Sequence, residues 1–251
     1  MSGRKAAAEA EGLPAVKEKE MQLSKRLRTI VDMTMTCRIA ADIGTDHGFV
    51  PMVLLTEKRA EKCIAADIRT GPLERAREHI AAAGLRDSCE FRLGPGLQVL
   101  AKDEAELIII AGMGGLLIRD ILLEGKEKLG AAGQLVLSPH TEVPAVRRTL
   151  ETLDFHIEDE AVVLEEEKFY TVISALPGAA SPLSEEELLY GPVLLKKRPR
   201  DFLRQLDYRI RREEEILEKI RLSEKEGSIR AAEIHEQELL RLQRILKGYP
   251  V

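Results

Sequence analysis

The sequence predicts an α/β protein: a doubly wound, mainly parallel sheet with an antiparallel hairpin at one edge, followed by a pair of helices. Three observations lead there. From Arg38 to Leu153, short apolar runs alternate with amphipathic stretches, which is how parallel strands and their crossover helices read. Two further apolar runs are then separated only by Glu165-Glu166-Glu167-Lys168, a spacing suited to a strand hairpin. Beyond the Pro- and Gly-bearing segment 177–182 the apolar period changes to helical 3/4 spacing.

Taken in order, strands are expected over 39–43, 63–68, 90–93, 107–111 and 134–137, and the edge hairpin over 155–164 and 169–176. The intervening helices fall at 49–58, 72–83, 97–102, 116–122 and 143–153. A helix before the first strand follows from Leu23, Leu27, Ile30 and Val31 at helical spacing. In the C-terminal part, Leu203, Leu206, Ile210, Leu217 and Ile220 form one stripe, with Glu213 as its single gap. After Glu226-Gly227-Ser228, the residues Ala232, His235, Leu239, Leu242 and Leu246 form a second. Two stripes joined by a Gly-Ser turn describe an antiparallel helical hairpin packed as a short coiled coil, with His235 as a tolerated interface residue. Residues 1–20 are rich in Ala, Glu and Lys with no apolar period and are expected to be a disordered extension. Residues 21–178 then form the sheet domain and 179–251 a helical appendage.

Composition narrows the class. The 251 residues are 44% hydrophobic but only 4% aromatic, with no Trp, so an aliphatic core suited to a parallel sheet is expected. No apolar run approaches the roughly 20 residues needed to span a bilayer, and the N-terminus has no apolar stretch resembling a signal peptide. Cys37, Cys63 and Cys89 form no CxxC pair. They read as small core residues, which fits a reducing cytoplasm and gives no zinc site. The formal net charge of −5 argues against a nucleic-acid partner unless basic residues cluster. They do: the stretch 196–212 holds eight Lys or Arg against two Asp, and Lys25, Arg26 and Arg28 form a second group. Solvated helix faces would account for such runs equally well.

Ligands of open α/β sheets bind beyond the carboxyl ends of the strands, and three segments there carry chemistry. Ala41-Asp42-Ile43-Gly44-Thr45-Asp46-His47-Gly48 is a Gly-rich turn flanked by two Asp. It matches neither GxGxxG nor GxxxxGK[ST], which removes the dinucleotide and P-loop readings. Two carboxylates suit a ligand bearing an ammonium group better than one bearing a pyrophosphate; Asp46 could equally cap the next helix. Asp67, at the end of the second strand and about 20 positions past the first glycine, is placed to accept both hydroxyls of a ribose. Ala111-Gly112-Met113-Gly114-Gly115 ends the fourth strand and permits close backbone approach beside the reversal of strand order.

These motifs, with LSKRL at 23–27, ADIGTDHGFVP at 41–51, RTGPLERA at 69–76, RLGPGL at 92–97, IAGMGGLLIRDIL at 110–122 and EEEKFYTVI at 165–173, resemble the tRNA (adenine-22 N1)-methyltransferase family (TrmK). The similarity runs in order from Met21 to the C-terminus. It implies a class I (Rossmann-like) methyltransferase domain with a seven-stranded sheet, a C-terminal antiparallel coiled-coil hairpin, S-adenosylmethionine as cofactor and tRNA as partner. A cytoplasmic monomer or weak dimer without metal or membrane attachment is expected.

Residue by residue, the resemblance puts Asp42, Gly44, Thr45, Asp46 and Gly48 around the methionine end of the cofactor. Asp67 would hold the ribose and Ile68 would pack on the adenine. Gly94-Pro95-Gly96 would line the adenine edge, and Ala111, Gly112, Met113 and Gly114 would face the transferred methyl. His47, Met113, Ser138 and His140 are the candidate catalytic residues bordering the target base; His47 would orient the base or relay a proton, and would equally well serve only to fix its loop. Lys25, Arg26, Arg28, Lys196, Lys197, Arg198, Arg200 and Arg204 would grip RNA. Two departures stand out: Pro95 where the family commonly has Asp, and Ser138-Pro139-His140 where it has residues like Gln-Pro-Asn. Such a site needs few catalytic side chains, because a sulfonium carries its own leaving group. In-line placement can supply roughly 7–11 kcal/mol, and a carboxylate or carbonyl could stabilise the cationic product ring. The alternatives are a methyltransferase of another acceptor and a catalytically weak RNA-binding protein on the same fold.

Overall fold

The computed structural model describes residues 23–179, 181–222 and 228–248. The extension 1–20, Met21 and the 226–227 part of the expected turn lie outside them. Seven strands form one sheet: β1 (Cys37–Ile43), β2 (Ala60–Asp67), β3 (Cys89–Leu93), β4 (Leu107–Met113), β5 (Gln134–Pro139), β6 (Phe155–Glu165) and β7 (Lys168–Pro177). Their order is β3-β2-β1-β4-β5-β7-β6. The first five are parallel, and β7 runs antiparallel to both β5 and β6.

Alternation along the strands builds a core on each face. Ile108 and Ile110 of β4 enter one cluster with Ala41, Ile43, Leu135 and Leu137, covered by α4 (Gly115–Glu124) and α5 (Val143–Thr152). Leu107 and Ile109 point the other way, against α1 (Lys25–Asp32), α2 (Phe49–Thr56) and α3 (Thr70–Ala82). Period-two side chains with helices on both faces explain why β4 reads as a continuous apolar run rather than an alternating one. Cys37, Cys63 and Cys89 are buried free thiols. Burial pushes Cys37 up to about 11 and Cys89 up to about 12, so they behave as small apolar groups.

One expected helix is absent. Residues 97–102 hold only a single 3₁₀ turn, Gly96–Val99. The Arg92 guanidinium, paired with Glu104, donates to the Val99 carbonyl at 3.0 Å and takes an acceptor that a longer helix would use. Two helices were not expected: α6 (Glu185–Tyr190) and α7 (Pro192–Lys197). Ser184 and Glu187 form a reciprocal capping box at the start of α6, a pattern visible in the sequence as S-x-x-E.

The long helices α8 (Arg200–Arg221) and α9 (Ser228–Lys247) pair antiparallel: Leu206 and Ile210, early in α8, share a core with Leu242 and Ile245, late in α9. Phe202 and Val162 of β6 join that core, so the hairpin sits on the sheet edge. His235 Nδ1 lies 2.6 Å from Glu213 Oε2, which pairs the polar residue of one stripe with the gap in the other.

Candidate active site

Strand order reverses between β1 and β4, and the crevice outside their carboxyl ends holds two cavities. The first, about 290 Å³, is walled by Ile68, Leu97, Leu117 and Ile121 and floored by Gly94, Pro95 and Gly96. Ile68 is 68% exposed and Leu117 52%. Two large apolar side chains left facing solvent across a slot suit a flat apolar ligand that covers both. Asp67 borders this slot, with Asp120 and Glu124 on the α4 side. Asp67 is buried, and one of its oxygens accepts the Arg69 backbone N–H at 2.7 Å, which aims the carboxylate.

The second cavity, about 400 Å³, is formed by Arg26 and Leu27 of α1, by Asp42 of β1, Asp46 and His47 of the turn after it and Phe49 of α2, and by Ala111, Gly112, Met113 and His140. Gly44, Asp67 and Met113 line both cavities, so the two compartments meet there. Gly44 has φ +79°, and a Cβ on it would fall well inside contact distance of Met113 Cε. Only glycine combines that conformation with that approach.

Charge in the crevice is uneven. Asp42 is 8% exposed, has no cationic partner among the described residues, and is pushed up to about 6 by burial, with the Asp67 charge acting in the same direction. The buried Thr45 hydroxyl beside it acts the other way, as a hydrogen-bond donor that draws the carboxyl back down without cancelling the effect of burial. A carboxylate short of a counter-charge beside a second, oriented one fits an ammonium group and a vicinal diol, and the apolar slot beyond fits a purine. The residues present therefore match an adenosyl amino acid.

Not every expected site residue reaches this crevice. Gly48 caps α2 and faces α3, where a Cβ would meet Ala76 at 2.8 Å. Gly114 caps α4 beside Thr141. Ser138 is fully buried within β5 with its hydroxyl unpartnered, so it stands behind the crevice, because its β5 position faces the core rather than the strand end. Asp46 does not cap α2; it pairs with Arg75 at 3.3 Å and lies 3.5 Å from His47. His47 itself has φ +60° and sits in a near-parallel ring cluster with Phe49 and His79, whose Nδ1 meets the His47 carbonyl at 2.9 Å.

Other residues were missed by sequence reasoning. Leu117, Asp120, Ile121 and Glu124 share one face of α4, a 3/4 spacing directly after the Gly-rich turn. Tyr170 lies under the Arg26 guanidinium at 5.2 Å, and nothing in the sequence pairs two residues so far apart.

The basic residues divide in two. Arg28 is held by Asp32 and Glu57. Arg198 donates to the Ile245 and Leu246 carbonyls at 2.6 and 2.8 Å, because the C-terminus of α9 has unpaired carbonyls and a negative dipole end. Both guanidiniums thus have protein partners in this structure. Lys197 pairs with Asp159 and Arg204 with Asp201. Lys25, Lys196 and Arg200 have no ion pair among the described residues. Arg26 lies in the crevice rather than on the outer surface.

Comparison with known proteins gives the family. A family profile described as a methyltransferase domain matches residues 23–173, and the chain belongs to that class of protein. The tRNA (adenine(22)-N(1))-methyltransferase of Bacillus subtilis (strain 168) is 34% identical over 206 residues, which is 80% of this chain and 87% of that protein. Its crystal structure, described as the M1A22 tRNA methyltransferase TrmK, superposes with a TM-score of 0.78 at 30% identity, covering 90% of this chain and all of that one. Streptococcus pneumoniae Sp1610, solved in complex with S-adenosyl-L-methionine, gives a TM-score of 0.79 at 27% identity, covering 89% of this chain and 99% of that one. Within the methyltransferases, the chain belongs to the tRNA (adenine-22 N1)-methyltransferase family.

Proposed function

We propose that the crevice transfers a methyl group from S-adenosylmethionine to N1 of adenine 22 in tRNA, with the cofactor's adenosine end in the first cavity and its amino-acid end beside the acceptor base in the second. The observation that carries this reading is their junction at Gly44, Asp67 and Met113. S-adenosylmethionine, when bound, supplies an electrophilic methyl on a positive sulfonium. Asp67 accepts the ribose hydroxyls, Ile68 and Leu117 cover the purine, and Asp42 neutralises the ammonium. The Gly112-Met113 backbone and the bare face of Gly44 allow the reacting centre to lie close to the protein. Adenine N1 has an in-plane lone pair, so the protein's task is to align it with the methyl and to exclude water. Phe49 and His47 offer a face for the acceptor ring, and Lys25, Arg26, Lys196 and Arg200 are the cations available to RNA. The target base would have to leave its stack to reach this depth. This reading places the protein in the cytoplasm as a monomer or weak dimer.

The test is incorporation of labelled methyl from S-adenosylmethionine into unmodified bacterial tRNA, followed by nucleoside analysis. The expected product is 1-methyladenosine at position 22, lost in Asp67→Ala. Cofactor binding without any methylated tRNA would instead favour another acceptor.

A further inference from the structure

We infer that His140 is the residue that distinguishes adenine from other purines at the acceptor position, by accepting a hydrogen bond from the 6-amino group beside the attacking N1. The inference rests on the methyltransferase reading above and deepens it.

Geometry comes first. In adenine, the 6-amino group is attached next to N1, so whatever reads it must sit beside the point of methyl transfer. The backbone N–H of His140 donates to the Met113 carbonyl at 2.8 Å, and this ties the residue to the turn at which the two cavities meet. Its ring lines the acceptor cavity and stands edge-on to Tyr170, with centroids 5.6 Å apart at 63°. Tyr170 is in turn covered by the Arg26 guanidinium, so three elements fix the orientation of the imidazole. Neither ring nitrogen has a hydrogen-bond partner among the described residues. The other imidazole of the cavity is less available: His47 lies against Asp46, and its carbonyl is held by His79.

Chemistry then sets the preference. Burial first, and the positive charges of Arg26 and Lys168 second, hold the His140 ring below the usual imidazole range. A neutral imidazole has one nitrogen with a free lone pair. Turned toward the base, that nitrogen pairs with an amino donor and opposes the carbonyl that guanine or hypoxanthine presents at the same place; the N–H of the other nitrogen then faces away. Both of those bases also carry a proton on N1, so the residue selects the ring whose N1 can attack.

The test compares tRNA carrying adenosine at position 22 with tRNA carrying unsubstituted purine there, using the intact protein and its His140→Ala and His140→Asn variants. Purine has a weaker N1 nucleophile, so the comparison is the change in the adenosine-to-purine ratio of kcat/KM between enzymes. The ratio is expected to fall about three- to tenfold in His140→Ala, the range of one net hydrogen bond. His140→Asn, which keeps an acceptor oxygen, should recover part of it. Cofactor affinity, followed by calorimetry, should stay unchanged in both variants, which excludes a folding defect. The same ratio in all three proteins would overturn the assignment while leaving the reaction standing. Absence of 1-methyladenosine with the unaltered enzyme would overturn the reaction, and the base reading with it.

Discussion

Buried beneath the first glycine turn, Asp42 is held at about 6 by burial, against roughly 3.9 in an unfolded chain. The folded state therefore binds the proton more tightly. The resulting contribution to stability is complete below about pH 4 and is lost as pH rises through about 6. At neutral pH the cofactor-free protein bears that whole cost, on the order of 2–3 kcal/mol, and a bound ammonium group would offset it. Asp42→Asn is expected to raise the melting temperature at pH 7.5 and leave it nearly unchanged at pH 4, while weakening S-adenosylmethionine binding. Thermal unfolding at the two pH values, with calorimetry, checks both halves; equal destabilisation at both pH values would show that Asp42 is structural. Asp42 and Asp67 were picked out in the sequence only as a pair at neighbouring strand ends, since a single strand-end Asp is common. Arg26 was legible only as a surface cation, because its contact with Tyr170 joins residues 144 positions apart.

At the level of elements, the junction of the β1 and β4 turns is the narrowest design constraint. Gly44→Ala would need a left-handed conformation and would collide with Met113. A loss of at least about 1 kcal/mol in stability is expected from the backbone alone, together with weaker cofactor binding. The collision is with the end of a flexible side chain, so adding Met113→Ala should restore part of the binding. Chemical denaturation and calorimetry on the two single variants and the double variant measure that coupling. The strands were readable to within a few residues because their apolar runs are long and their boundaries polar. The 97–102 segment was not, since its helical pattern competes with the Arg92 bond to Val99, a tertiary contact. The α6 helix was readable in principle from its capping box, although only the two long apolar stripes of the appendage were read as helices.

Across the whole molecule, a buried ion pair ties the two short helices that precede the hairpin to the sheet. Arg147 of α5 and Glu160 of β6 meet at 2.8 Å with almost no exposure. Arg147 also donates to the Leu188 carbonyl, and Glu160 accepts from the Val193 N–H, so α6 and α7 are stitched to the sheet edge. Removing one partner leaves a buried charge, and Arg147→Ala is expected to cost about 3–5 kcal/mol. The double change Arg147→Met with Glu160→Leu should cost less than either single loss, as urea unfolding would reveal. The basic residues should separate in the same spirit. Lys196→Ala and Arg200→Ala are each expected to reduce the slope of log affinity for tRNA against log salt by about 1. Arg198→Ala should lower stability with little change in that slope, because its guanidinium caps α9.

The sequence by itself determined the order and type of the strands, the sheet-then-hairpin plan, and the chemistry at the strand ends. Local propensity, apolar period and motif spacing are properties of contiguous residues, and contiguous residues are what a sequence displays. Only the tertiary structure decided which charges are free, which expected site residues face the crevice, and how Arg26, His140 and Tyr170 come together. Those outcomes depend on contacts between distant segments, where burial and competing partners, rather than residue type, settle what each side chain does.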